Sequence, residues 1–171
     1  MQTVAKSRLP LIAYGLAALV VVLDQISKFW ILGRLTPGES LAVLPFMNFT
    51  LTHNTGVSYG LFNNFGQAGR WLLSLFSLIV AVTLAVWVRK ADKRLSALGV
   101  GLIIGGALGN LVDRVRLGWV VDFVDCSALH FPWIFNIADS AISIGVVLFL
   151  VELVVTPDKK PEAKGSGEAT L

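Results

Sequence analysis

Two aspartates stand where an apolar chain does not casually place them. Asp139 is the third residue of the run Ile137–Val155, and Asp122 sits inside Val120-Val-Asp-Phe-Val in the segment before it. A carboxylate at membrane depth is costly, so it marks a functional site with a partner to be named. Each aspartate is a natural partner for the other. Two carboxylates held together cannot both ionise cheaply; they share a proton and divide the roles of acid and base, as aspartic proteases require. Asp125 competes with Asp122 for the second carboxylate, and the local sequence does not choose between them.

Other polar residues interrupt apolar surroundings. Asp24 and Lys28 are four residues apart, on one helical face, as are Asn110 and Arg114. The first pair reads either as an ion pair easing a helix end, with Lys28 snorkelling, or as support for the aspartates. Arg114 reads as a headgroup anchor or a site residue. Asn110, an amide in an apolar run, requires partners. Asp113 is placed on a different face, as a local salt bridge or cap. Asn136 is a strong N-cap for the helix that Asp139 opens, and Asp139 in that first turn also suits the helix dipole. Asn54-Thr-Gly56 is a turn signal.

These residues need elements to position them. Of 171 residues, 55% are hydrophobic and 15% charged, and the mean hydropathy is +0.74. A soluble domain carries about 25% charged residues, so the composition points to a membrane protein. Four stretches meet the length and apolarity of a span: Leu9–Leu32, Trp71–Val88, Leu95–Val112 and Ile137–Val155. The first lacks a small-x-small cleavage site after its apolar core, so it reads as a retained span. With four spans, both termini and the 89–94 turn share one side, which holds 9 of the 14 Lys and Arg. That side is cytoplasmic by the positive-inside rule, and Trp30, Trp71, Trp119 and Trp133 mark the opposite interface. Asp122 and Asp139 then lie together at the outer end.

The outer segments are more than connectors. Met47–His53 alternates apolar and polar residues, the pattern of a half-buried strand, and 113–136 is expected to run along the interface. The expected fold class is an all-α integral membrane protein with four transmembrane helices, a small extracytoplasmic β element and an interfacial loop or helix. Residues 1–156 form its single domain, and 157–171, rich in Lys, Glu, Gly and Ser, a disordered cytoplasmic tail. Gly99, Gly101, Gly105, Gly106 and Gly109 suit close helix packing. Glu152 is expected to reach cytoplasmic water, and Cys126 to be an interfacial thiol. The +3 charge marks topology and not nucleic-acid binding. The histidines, His53 and His130, have no partners at metal-ligand spacing, and neither H-E-x-x-H nor G-x-S-x-G occurs.

Five blocks together resemble the lipoprotein signal peptidases, or signal peptidase II. They are Asp24-Gln-x-x-Lys28, Asn54-Thr-Gly56, Gly106-Ala-Leu-Gly-Asn110-Leu-Val-Asp113-Arg114, Val121-Asp122-Phe-Val and Phe135-Asn136-Ile-Ala-Asp139-Ser. The similarity runs from about Leu9 to Val155, in the same order. It implies an aspartic endopeptidase of the bacterial inner membrane that cuts prolipoproteins before a diacylglyceryl-modified cysteine. It maps the catalytic pair onto Asp122 and Asp139, against Asp125, and the supporting polar residues onto Asp24, Lys28, Asn54, Gly56, Asn110, Arg114 and Asn136. It implies membrane lipid as the surroundings, block by the cyclic peptide globomycin, and no metal or organic cofactor. Two rival classes use some of the same residues: a proton-conducting or transport subunit, and a scaffold held by the glycine-rich span. The first is disfavoured because no ionisable residue lies at mid-span, the second because it leaves Asn110 and the aspartates without a role.

Overall fold

The structure, a computed structural model, describes residues 8–56 and 66–155. Four α-helices and four short strands alternate in the order α1 (Leu9–Leu32), β1 (Ser40–Leu44), β2 (Met47–Asn54), α2 (Gly66–Trp87), α3 (Arg94–Arg116), β3 (Val120–Asp125), β4 (Ile134–Phe135) and α4 (Ile137–Val155). The first and last helices begin and end where the apolar runs do. The middle two do not. α2 starts before its apolar run at Gly66, and α3 continues four residues beyond Val112 to Arg116, carrying Asp113 and Arg114 into the helix. α1, α3 and the stretch Gly66–Lys90 are long and apolar enough to cross a membrane, by length and composition, among the described residues.

The helices are inside-out relative to a soluble bundle. On α1 the buried residues are Ala13, Ala17, Val20, Asp24, Lys28 and Ile31, a stripe at helical spacing, while Leu11, Ile26 and Phe29 are exposed. An exposed surface of Leu, Ile and Phe is stable only against lipid, so the protein is membrane-embedded. α3 is the central helix, packed against each of the others. Its glycines make this approach possible. A Cβ on Gly105 would lie 2.8 Å from the Ala17 carbonyl oxygen of α1, and one on Gly99 would lie 2.6 Å from the Gly145 carbonyl oxygen of α4. Small residues let backbones meet where hydrophobicity alone gives no drive for helix association.

The expected β element is larger than one strand. Four strands form an antiparallel sheet in the order β1-β2-β3-β4, so the fold adds a β layer to the helices and is not purely α. Segment 113–136 supplies the end of α3 and strands β3 and β4. Its apolar β3 residues are drawn into a core: Val121 and Phe123 pack with Ile31, Leu35 and Leu51. Because side chains alternate along a strand, Asp122 is directed to the opposite face. β3 pairs with β2 so that Thr52 lies across from Asp122 and Asn54 across from Val120. The expected tail from residue 157 lies outside the described residues.

Candidate active site

The site begins at the start of α4. Asn136 caps the helix: its Oδ1 accepts from the Asp139 backbone N–H at 2.9 Å, while Asp139 Oδ2 accepts from the Asn136 N–H at 3.3 Å. This reciprocal capping box satisfies two helix-start donors and fixes the Asp139 side chain over the first turn. A third donor, the Ala138 N–H, is taken by Asp24 Oδ1 from α1 at 3.0 Å.

The cap does not exhaust Asn136. Its Nδ2 shares two N–H hydrogens among Asp122 Oδ1 at 2.7 Å, Asn110 Oδ1 at 3.1 Å and the Val121 carbonyl at 3.2 Å. Asn136 is 0% exposed and Asp122 is 2% exposed, so these donors take the place of water. Asn54 Nδ2 from β2 supplies the other oxygen of Asp122 at 2.9 Å, while Asn54 Oδ1 accepts from the Gly56 N–H in its own turn. On Asp139, Oδ1 accepts from Asn110 Nδ2 at 2.8 Å. The two aspartates thus meet across one asparagine and are each held by a further amide.

Electrostatics follows from this burial. The Asp122 carboxyl is pushed up to about 7, by burial first and by the neighbouring Asp139 charge second, against the lowering pull of Asn54, Asn136 and Lys28. Asp125, at the half-buried end of β3, is shifted the other way by the Ser127 N–H, with Thr50 also donating to it. The strand thus separates the two carboxylates that the local sequence left in competition.

Behind the aspartates lies a buried cation. Lys28 is 2% exposed; it does not snorkel. Its Nζ is 2.8 Å from Asp24 Oδ2, 2.8 Å from Asp113 Oδ2 and 3.0 Å from Asn110 Oδ1. Asp113 is therefore no isolated cap on another face: it lies one turn from Asn110, joins the Lys28 ion pair and accepts from the Val121 N–H at 3.1 Å. Gln25, part of the Asp24-Gln-x-x-Lys28 block but given no role by the sequence, braces the same group by donating to Asp113 Oδ1 and the Gly109 carbonyl. A signal for it existed in its position beside Asp24, a second polar residue in an apolar run.

Arg114 is also buried and does not reach toward headgroups; its Nη2 donates to the Gly56 carbonyl at 3.0 Å, and Asp139, Asp122 and Asp113 are its charged neighbours. Glu152, expected to reach water, is buried at the far end of α4. His53 stacks on Trp119. The structure therefore brings together Asp24, Lys28, Asn54, Gly56, Asn110, Arg114, Asp122, Asn136 and Asp139 at one end of the helices, beneath the sheet. Among the described residues no group of three or more His, Cys, Asp and Glu could hold a metal ion. A coupled, amide-held carboxylate pair can activate water and polarise a carbonyl.

Known proteins of similar sequence and fold exist. The family described as signal peptidase (SPase) II matches residues 16–155. A lipoprotein signal peptidase of Caulobacter vibrioides is 56% identical over 152 residues, 87% of this chain and 90% of that protein. Another, of Shewanella loihica, is 43% identical over 155 residues, 88% of this chain and 90% of its own. A solved structure described as a bacterial membrane enzyme, obtained by the in meso method at 2.3 Å resolution, superposes with a TM-score of 0.77 at 32% identity, covering 89% of this chain and 94% of that one. A second, described in the same way at 1.9 Å, gives 0.73 at 33% identity, covering 84% and 93%. The carboxylate pair, the helix and sheet arrangement and these likenesses converge: the chain belongs to the signal peptidase II family and is a peptidase.

Proposed function

We propose that the chain is an intramembrane aspartic endopeptidase that removes signal peptides from diacylglyceryl-modified prolipoproteins, cutting just before the lipidated cysteine. The observation that carries this reading is the meeting of Asp122 and Asp139 across Asn136, from a strand and a helix, out of water. Asp122 and Asp139 are the catalytic pair. One carboxylate takes a proton from a water as it attacks the scissile carbonyl; the other, protonated, donates a hydrogen bond to the carbonyl oxygen. The proton is then passed to the leaving amine, which restores the singly protonated pair. Asn54, Asn110 and Asn136 hold the carboxylates, Asp24 and Lys28 hold the helices that carry them, and Arg114 fixes Gly56 beside them.

A lipid-anchored substrate suits this placement, since it reaches a site at the end of membrane helices by sideways diffusion in the bilayer. α4 acts as a fourth span, so residues 1–156 work as one membrane unit of the bacterial inner membrane. Both termini then face the cytoplasm and the site faces outward, as the basic residues favour. A cyclic peptide inhibitor such as globomycin is expected to occupy the same site. Purified protein, incubated with a lipidated prolipoprotein, should release the signal peptide and leave a product beginning at the lipidated cysteine. Equal cutting of a precursor lacking the lipid would overturn the substrate assignment. Reporter fusions near residue 92 and near Ser127 should report opposite sides of the membrane; the same side for both would overturn the topology.

A further inference from the structure

The Lys28 ammonium stands behind the aspartates and contacts neither. A lysine ammonium has three N–H donors and no acceptor. Here all are used: Asp24 Oδ2 and Asp113 Oδ2, each at 2.8 Å, and Asn110 Oδ1 at 3.0 Å. The last contact has a chemical consequence. Only an oxygen can face an ammonium, so Lys28 fixes which end of the Asn110 amide points toward α1. Asn136 Nδ2 donates to that same oxygen at 3.1 Å. The amide nitrogen is left with one direction, toward Asp139 Oδ1 at 2.8 Å.

This constrains the proton shared by the aspartates. Asp139 Oδ1 faces an N–H, so it accepts and cannot itself donate toward Asn110. On Asp122 both oxygens face amide N–H groups, from Asn136 and Asn54. On Asp139, Oδ2 meets, among the described residues, only the longer 3.3 Å contact from the Asn136 N–H. It is the least satisfied of the four carboxylate oxygens and the place where a shared proton costs least. The groups facing the pair are Lys28 and Asp24 from α1, Asp113 and Arg114 from α3, and the neutral Asn54 from β2. Lys28 is thus a cation held behind a carboxylate pair, with one amide between it and Asp139.

We propose that Lys28 is a positioning residue for catalysis: through the Asn110 amide it orients Asp139 and directs the shared proton to Asp139 Oδ2, and its charge sets the pH range in which the pair holds one proton. The inference rests on the aspartic reading above. One side chain thus exerts two effects, hydrogen-bond direction and charge.

Two variants separate these effects. Lys28→Gln retains an N–H donor for Asn110 but removes the charge; Lys28→Met removes both. The pH profile of kcat/KM is measured for each on a lipidated prolipoprotein in micelles, beside wild type. Loss of a nearby cation favours the protonated carboxyls, so the acid limb should move to higher pH by about one unit in both variants. In Lys28→Met the plateau kcat should also fall, by about tenfold or more, because the Asn110 oxygen loses the nearer of the two donors that orient its amide and keeps only Asn136 Nδ2; KM should change little. A folded Lys28→Gln or Lys28→Met enzyme with the wild-type acid limb would overturn the proposal. Failure of both variants to accumulate as folded protein would assign Lys28 to folding alone and overturn it as well. A silent wild type would bring down the aspartic reading with it, whereas an active wild type beside unshifted variants would bring down this inference only.

Discussion

Replacing Asn136 separates helix capping from support of the aspartates, because one side chain does both. Asn136→Ala removes the cap on the Asp139 N–H and the donor to Asp122, Asn110 and the Val121 carbonyl. Loss of an N-cap costs about 1 kcal/mol. A hydrogen bond to a charged group contributes about 1.5–3 kcal/mol, and neutral ones between membrane helices average about 0.6 kcal/mol. The alanine variant should therefore lose roughly 3–5 kcal/mol of stability. Asn136→Ser is more informative. Serine caps about as well as asparagine but has no amide to hold Asp122. If the Asp122 contact matters in the transition state, its loss of about 1.5–3 kcal/mol lowers the cleavage rate roughly ten- to hundredfold. Initial rates on a lipidated prolipoprotein, paired with denaturant unfolding of the same samples, measure both quantities. A serine variant that cuts at the wild-type rate would refute the reasoning, since Asn136 would then be a cap alone.

Arg114→Lys keeps the charge beside Asp139 and Asp122 but loses the planar fork that reaches the Gly56 carbonyl at 3.0 Å. It should recover little of the activity that Arg114→Ala loses, and full activity in kcat/KM measurements would return Arg114 to a headgroup anchor. The pH dependence follows from the pair, which shares one proton: burial and the Asp139 charge raise Asp122 to about 7, and the pair gives up its last proton near that value. Above that value both carboxylates ionise, so kcat/KM should fall on the alkaline side of about pH 7. A profile still rising at higher pH would contradict it. The sign for stability is the same: a carboxyl raised on folding favours the folded state most at low pH. That contribution fades as pH rises from the unfolded value of 3.8 through about 7, which pH-dependent unfolding in detergent can follow.

The helices are legible because apolar runs of that length have few other uses, and α1 and α4 carry the boundaries that their runs predict. α3 was cut short because Asp113 and Arg114 end its apolar run. The helix continues because both side chains turn inward to partners, Lys28 and Gly56, that are distant in sequence. The same distance hid Asp113: it was assigned to another face, although residues three apart are neighbours on a helix. Asn54 was readable as a turn residue from its Oδ1, which does close the turn at Gly56, but the reach of its Nδ2 to Asp122 depends on strand pairing. Asp122 and Asp125 were inseparable by local sequence. The register and core of β3 divide them, burying one beside Asp139 and leaving the other at the half-buried strand end.

The most direct test of the aspartic pair is peptide cleavage by Asp122→Asn and Asp139→Asn, with Asp125→Asn as the control. Asparagine keeps the shape of the side chain and removes the ionisable proton. Each single variant at the site should fold, as judged by yield and elution in detergent, and cut no lipidated prolipoprotein. The double variant should be no worse than either, because the two carboxylates act as a unit. Asp125→Asn should retain most activity. Substantial cleavage by folded Asp122→Asn or Asp139→Asn would contradict the account.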